Sequence, residues 1–202
     1  MRIEQVKIEN FRSHSSTIID FDDYTALIGA NGAGKSSVFY ALKWFFDGGV
    51  LTEADIHSAA RSGNEPVKVS VSVKFTELTT ADKSRLGEYA RGKSAHFSRF
   101  WSSDDEKSKV VGNSIAGPGF PDVRRETRVT FKRKEYSNLR KEIPDLPPLQ
   151  GSAGVAEIDQ ALADWESSPQ NAEKLSPINH SDANHLFGIN GKNVIGEWSN
   201  SF

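Results

Sequence analysis

Eight consecutive residues, Gly29-Ala30-Asn31-Gly32-Ala33-Gly34-Lys35-Ser36, fit the pattern G-x-x-x-x-G-K-[ST] at every fixed position. The chemistry of that pattern is the cradling of phosphate. Glycine lets the backbone curl until successive N–H groups converge on an anion. The helix that follows adds its positive end to the same anion. In this frame Asn31, Gly32, Ala33 and Gly34 supply the cradle and Lys35 reaches the β- and γ-phosphates. Ser36 offers its hydroxyl to Mg²⁺, and Ser37 adds a phosphate contact. The alternative is a glycine-rich link that merely joins a strand to a helix, and a full match set between those two elements weighs against it.

The flanking sequence supplies the elements. Residues 24–29, YTALIG, read as a strand entering the loop. After the loop, Val38, Phe39, Leu42, Phe45 and Phe46 recur with helical period, and Asp47, Gly48 and Gly49 end the run. Upstream, Ile3, Val6, Ile8 and Phe11 alternate imperfectly, giving a first strand near 2–9, and TIIDF at 17–21 reads as a second. VKVSVSVKF at 67–75 alternates cleanly, with Val67, Val69, Val71, Val73 and Phe75 on one face. A helix capped by Thr79 or Thr80 is expected over 79–91. Residues 97–121 read mostly as loop because of their glycines and prolines. ETRVTFKRKEY at 126–136 reads as a strand with a basic face, and 143–154, with three prolines and two glycines, as a linker or long turn. Residues 155–166 form an amphipathic helix through Val155, Ile158, Leu162 and Trp165, and 188–202 are strand-like. Trp44 and Trp165 extend apolar helix faces, so packing is their expected role. Two segments are expected, 1–142 carrying the loop and 143–202 beyond it.

Composition narrows the function. The 202 residues are 37% hydrophobic and 26% charged, as in a water-soluble globular protein, and no apolar run is long enough to cross a membrane. Cysteine is absent, which removes disulfides, Cys-ligated zinc, iron–sulfur clusters and thiol catalysis. The N-terminus is no signal peptide, and a cytoplasmic location is expected. A net charge of −2 excludes a wholly basic nucleic-acid binder. Residues 81–142 nevertheless carry 15 Lys and Arg against 9 Asp and Glu. Within them Arg124, Arg125, Arg128, Lys132, Arg133 and Lys134 cluster. On a strand, Arg128, Lys132 and Lys134 would share one face, which would suit a DNA backbone as well as it would a solvated sheet edge.

The opening I-x-x-V-x-I-x-N-F-R-S-H (Ile3–His14), followed by a strand and then GANGAGKSS, resembles the N-terminal lobe of ABC-type ATPase heads of the SMC and RecF kind. That resemblance implies an α/β P-loop NTPase fold, a mixed sheet with flanking helices, ATP and Mg²⁺ as ligands, and a site made by two heads. It also implies that Arg12 contacts the phosphates or the adenine side, the alternative being a surface ion pair. The segments ALKWFFDGGVLTEADIH (41–57), VSVKFTELTTADKSRL (71–86), AGPGFPDVRRE (116–126) and ALADWESSP…NHLFGING (161–191) resemble the OLD family of ATP-dependent endonucleases, relatives of the Gabija nuclease subunit. The implied function is ATP binding that gates a Toprim nuclease outside these residues. DNA would be the substrate, a homodimer or higher homo-oligomer the assembly, and a phage-defence complex a setting with a partner subunit.

Parts of that family pattern are missing. The sequence holds no S-x-G-[EQ] signature, no apolar strand ending in Asp-Glu and no Toprim acidic cluster, and glutamine occurs only at 5, 150, 160 and 170. No catalytic residue is therefore expected within the chain, and bound nucleotide with little or no turnover is its expected behaviour. Trp198 and Phe202 give the end a ragged apolar edge, as in a piece of a longer protein. Glu77 could take a water or metal role, or be a solvated turn residue. Asp55 and His57 could lie near the nucleotide, or Asp55 could cap a helix at 56–60. His180 and His185 have poor metal spacing and read as polar loop residues. Two other functions remain open: an SMC/RecF-like DNA-repair or chromosome-organising ATPase without nuclease, and a nucleotide-dependent assembly module.

Overall fold

The computed structural model describes residues 1–62, 65–90, 93–188 and 195. They fall into two compact units, one of residues 1–114 with the described residues from 179 onward and one of residues 115–178. The α/β expectation holds: one six-stranded sheet runs in the order β2-β1-β3-β4-β5-β6 with flanking helices. The strands are β1 (Arg2–Phe11), β2 (His14–Asp20), β3 (Lys68–Thr76), β4 (Ala95–Ser102), β5 (Lys109–Ala116) and β6 (Ser176–Asp182). Pairing is antiparallel from β2 through β5. No described helix is long and apolar enough to cross a membrane.

The core of the first unit lies between one face of this sheet and helix α1 (Lys35–Asp47). In β3, Val69, Val71, Val73 and Phe75 are wholly buried, as the alternation requires. The imperfect alternation of β1 has a physical cause. Its register against β3 shifts between Ile3 and Gln5, a bulge that resets the parity so that Val6 and Ile8 face inward with Ile3. Asn10, at φ 55°, turns the chain again and Phe11 is buried. Helix α1 buries Val38, Ala41, Trp44, Phe45 and Phe46, while Phe39, expected on the inner face, is 64% exposed. The stripe is centred on Ala41, a small residue that lets the helix approach the sheet.

Three expectations are corrected. No strand forms over 24–29, because among the described residues no strand pairs with it and a strand is stabilised by its neighbour. The stretch 97–121 is not mainly loop, since it holds most of the hairpin β4–β5. Its alternation is masked because the inward positions of β4 include Arg99 and those of β5 include Gly112 and Ser114. Residues 126–136 are not a strand but enter helix α4 (Val129–Glu142), whose buried stripe is Lys132, Tyr136 and Leu139. A lysine in the apolar stripe hides the helical period.

Arg99 is 2% exposed and answers to the carbonyl end of α1. Its Nε donates to the Phe45 carbonyl at 2.8 Å and its Nη1 to Ser108 Oγ at 3.0 Å. Burial pulls its pKa down to about 10, with Asp47 pulling the other way, so the group stays cationic at neutral pH. A cation at a helix C-terminus meets the negative end of the helix dipole. Gly48, at φ 73°, admits it, since a Cβ there would lie 2.8 Å from Nη1.

Helix α2 (Thr80–Leu86) is capped by Thr79, whose hydroxyl accepts from the Asp82 N–H at 3.2 Å. In the second unit, α3 (Phe120–Arg125), α4 and α5 (Val155–Ser167) enclose Phe120, Val123, Tyr136, Leu139, Leu146, Ile158, Leu162 and Trp165. The proline-rich stretch 143–154 joins α4 to α5 and contributes Leu146 to that core. Of the segment 188–202, all but Gly188 and Ile195 lies outside the described residues, Trp198 and Phe202 included.

Gly112 offers a test of the packing. A Cβ there would lie 2.5 Å from Tyr89 Cδ1 and 2.9 Å from Phe97 Cδ1, both in the core. Gly112→Ala should therefore lower unfolding free energy in urea by about 1–3 kcal/mol. An unchanged midpoint would contradict the packing described here.

Candidate functional site

The loop between Gly29 and Lys35 is exposed, with Gly32 at φ 83° and Gly34 at φ 94°. Both lie in the left-handed region that side chains disfavour. Gly34 is the N-cap of α1, without a side-chain cap, and the first turn of the helix carries no acid. The opening N–H groups of a helix have no acceptor within it, so this end presents donors and partial positive charge. Lys35 Nζ folds back over the loop and donates to the carbonyls of Gly29 at 2.6 Å and Ala30 at 2.8 Å. Ser36 is exposed beside it. An uncapped, acid-free helix start behind two left-handed glycines fits a phosphate chain, so the residues present suit a nucleotide. Among the described residues no cluster of three or more acidic or histidine side chains is arranged to hold a metal. A cation here would depend on the phosphates and Ser36.

The turn between β1 and β2 braces the loop from behind. Ser13 Oγ donates to Ser37 Oγ at 3.1 Å. Buried His14 bonds the Gly34 carbonyl through Nε2 at 3.2 Å and Thr17 Oγ1 through Nδ1 at 3.0 Å. With the proton on Nε2, the imidazole donates to the carbonyl and accepts from the Thr17 hydroxyl. A Cβ at Gly34 would lie 2.6 Å from Ser13 Oγ, so the glycine is needed for space as well as for φ. Motif matching finds Gly34 but not Ser13 or His14. Their signal is the adjoining N-F-R-S-H text, which becomes interpretable once the hairpin brings it to the loop.

Arg12 sits in the same turn at φ 49°. Its Nε donates to Asp55 Oδ1 at 3.0 Å, its Nη2 is ion-paired with the same oxygen at 2.9 Å, and its guanidinium stacks 3.8 Å from the Tyr40 ring centre. The backbone is tied as well: the Arg12 N–H donates to the Asp55 carbonyl at 2.8 Å, and the His57 N–H to the Asn10 carbonyl at 3.0 Å. Asp55 does not cap a helix at 56–60. It closes a 3₁₀ turn, Glu53–Asp55, and accepts at Oδ2 from the Thr52 N–H at 3.0 Å and hydroxyl at 2.8 Å. His57 Nδ1 accepts from the Ala59 N–H at 3.3 Å. Glu77 lies at an exposed turn after β3, ion-paired with Arg2 at 3.2 Å.

The basic cluster is not one face. Arg124 makes a two-pronged pair with buried Glu166, at 3.0 and 2.6 Å, and Lys132 is buried against Asp159 at 2.7 Å. Arg133 donates to the carbonyls of Ala153 and Ser152. Arg125, Arg128 and Lys134 are exposed, Arg125 beside Asp122 and Arg128 beside Glu126.

Partial burial pulls the Asp55 carboxyl upward, but the Thr52 donors and the Arg12 guanidinium outweigh it and hold it below the ordinary carboxylate range. A depressed folded pKa stabilises the fold above the unfolded value, about 3.9, and that contribution disappears as pH falls through the folded value. Asp55→Asn should therefore lower the urea midpoint at pH 7, and the gap to the parent should narrow as the pH drops below about 4. A gap independent of pH would contradict the ion pair.

Comparison with known proteins extends the site to a family. The AAA ATPase domain matches residues 1–183. The Old nuclease of Escherichia phage P2 is 44% identical over 57 residues, 28% of this chain and 10% of that protein. The DNA double-strand break repair Rad50 ATPase of Methanococcus maripaludis is 51% identical over 45 residues, 22% of this chain and 4% of its own. That of Sulfurisphaera tokodaii is 24% identical over 183 residues, 90% of this chain and 19% of its own. The chain thus spans less than a fifth of each of these relatives. With the phosphate-loop geometry and a match over nine-tenths of its length, the chain belongs to the AAA ATPase domain family.

Proposed function

We propose that this chain is the ATP-binding N-terminal part of an OLD-type, ATP-dependent DNA endonuclease, with ATP and Mg²⁺ bound at Asn31–Ser37 and the nuclease domain outside these residues. The observation that carries the nucleotide reading is the uncapped N-terminus of α1 behind left-handed Gly32 and Gly34. The backbone donors of Asn31, Gly32, Ala33 and Gly34 cradle the phosphates. Lys35 exchanges its two carbonyl acceptors for phosphate oxygens, and Ser37 adds a hydroxyl. Mg²⁺, when bound at the Ser36 hydroxyl, neutralises charge on the β- and γ-phosphates. Arg12 adds a second cation. The work done within this chain is binding and charge neutralisation, not bond cleavage.

The phage P2 match favours the nuclease reading. DNA would be the substrate and a homodimer the working form, in the cytoplasm and in a phage-defence setting with a partner subunit. Exposed Arg125, Arg128 and Lys134 would meet the DNA backbone, while Arg124 and Lys132 are committed to Glu166 and Asp159. The second reading, a Rad50-like DNA-repair ATPase without nuclease, is favoured by the longest of the relatives' alignments, that with S. tokodaii.

Lys35→Ala should weaken ATP binding by at least tenfold in an equilibrium titration, and parent-like affinity would overturn the nucleotide site. An acidic Toprim cluster in the full-length sequence, with ATP-dependent cutting of DNA, would uphold the nuclease reading. Long heptad repeats in its place would uphold the Rad50-like one.

A further inference from the structure

Resting on the nucleotide reading above, we infer that Asp55 and Tyr40 are positioning residues that present Arg12 to the bound triphosphate. Tyr40 lies four residues after Ser36 and three after Ser37, hence on the same face of α1. Helical side chains lean towards the N-terminus, so the Tyr40 ring covers the turn that carries Ser36 and Ser37. The Arg12 guanidinium stacked on that ring is therefore beside the phosphate-facing end of the helix. Asp55 fixes its rotation. A single oxygen, Oδ1, accepts the Nε hydrogen bond and lies 2.9 Å from Nη2 as the ion-pair partner. Nη1 has no hydrogen-bond acceptor among the described residues and remains free to donate. Asp55 is itself anchored, because Oδ2 holds the Thr52 N–H and hydroxyl.

The backbone serves the same end. Asn10 at φ 55° and Arg12 at φ 49° are left-handed without being glycine. Such residues persist where the surroundings over-determine them. Here the constraints are the Arg12 N–H to the Asp55 carbonyl, the His57 N–H to the Asn10 carbonyl and the Phe11–Ile56 bridge. The segment after α1 thus forms a second wall that holds a cation in a fixed orientation. An arginine held before the ligand arrives loses less freedom on binding.

The test is a double-mutant cycle in the full-length protein, read as equilibrium affinity for ATP, with thermal melting as the folding control. Asp55→Asn and Arg12→Ala should each weaken ATP about five- to tenfold, and the double variant should be no weaker than Arg12→Ala alone. Tyr40→Leu, at a half-exposed position outside the core, should weaken ATP about threefold in the parent and have no effect in the Arg12→Ala background. Tyr40→Phe, which keeps the ring, should match the parent. If Asp55→Asn and Tyr40→Leu leave affinity unchanged, or act by the same factor without Arg12, the inference is overturned even though Lys35→Ala weakens binding at least tenfold. Parent-like affinity in Lys35→Ala would overturn the nucleotide reading, and this inference with it.

Discussion

The seating of α1 on the inner face of β1 and β3 is the constraint on which the rest depends. Ala41 and Phe45, both fully buried, face the unbroken apolar row of β3. Burial of large apolar side chains, each contributing about 1.5–3 kcal/mol, fixes the rotation of the helix about its own axis. That rotation decides which side Ser36, Ser37 and Tyr40 present, and where Lys35 leaves the loop. The phosphate-loop glycines make the curl possible, but the hydrophobic seat decides where it points.

A second constraint acts from the β1–β2 turn. Ser13 and His14 contact the start of the helix, Arg12 contacts its second turn, and the chain after the helix returns to bond Asn10 and Arg12. The site is therefore built from three sequence-distant pieces around one helix end. The turn residues carry polar side chains and two unfavourable φ angles, so they contribute little to hydrophobic stability. Their arrangement makes sense as support for an anion-facing loop.

Much of this was legible in the sequence. The glycine-rich turn into α1, the cleanly alternating β3, the Thr79 cap and the stripe Ile158, Leu162 and Trp165 of α5 follow from local rules that the structure obeys. The misreadings share a cause. Arg99, Gly112 and Lys132 occupy inward positions where a pattern reader expects apolar residues, and each is buried because a distant group accommodates it. For Arg99 that group is the Phe45 carbonyl, for Lys132 it is Asp159, and for Gly112 it is the rings of Tyr89 and Phe97. None of these partners is near in sequence. The same applies to Arg12, whose tie to Asp55 spans 43 residues. The segment 24–29 failed for the opposite reason, because its composition suits a strand but it has no neighbour to pair with among the described residues.

Arg99 gives the loop helix a property beyond stability. At about 1.5 Å per residue, its 13 residues make a rod about 20 Å long. One end opens onto the anion loop, and the other is gripped by a buried cation in the β4 strand. The position of the helix along its axis is therefore set at its far end by a residue of the sheet, 54 positions away in sequence from the carbonyl it holds. Gly48 and Gly49, with φ of 73° and 103°, lie just beyond the grip and turn the chain away from the helix axis there. The two ends of α1 are thus held by different parts of the chain, Ser13 and His14 at its start and Arg99 at its finish.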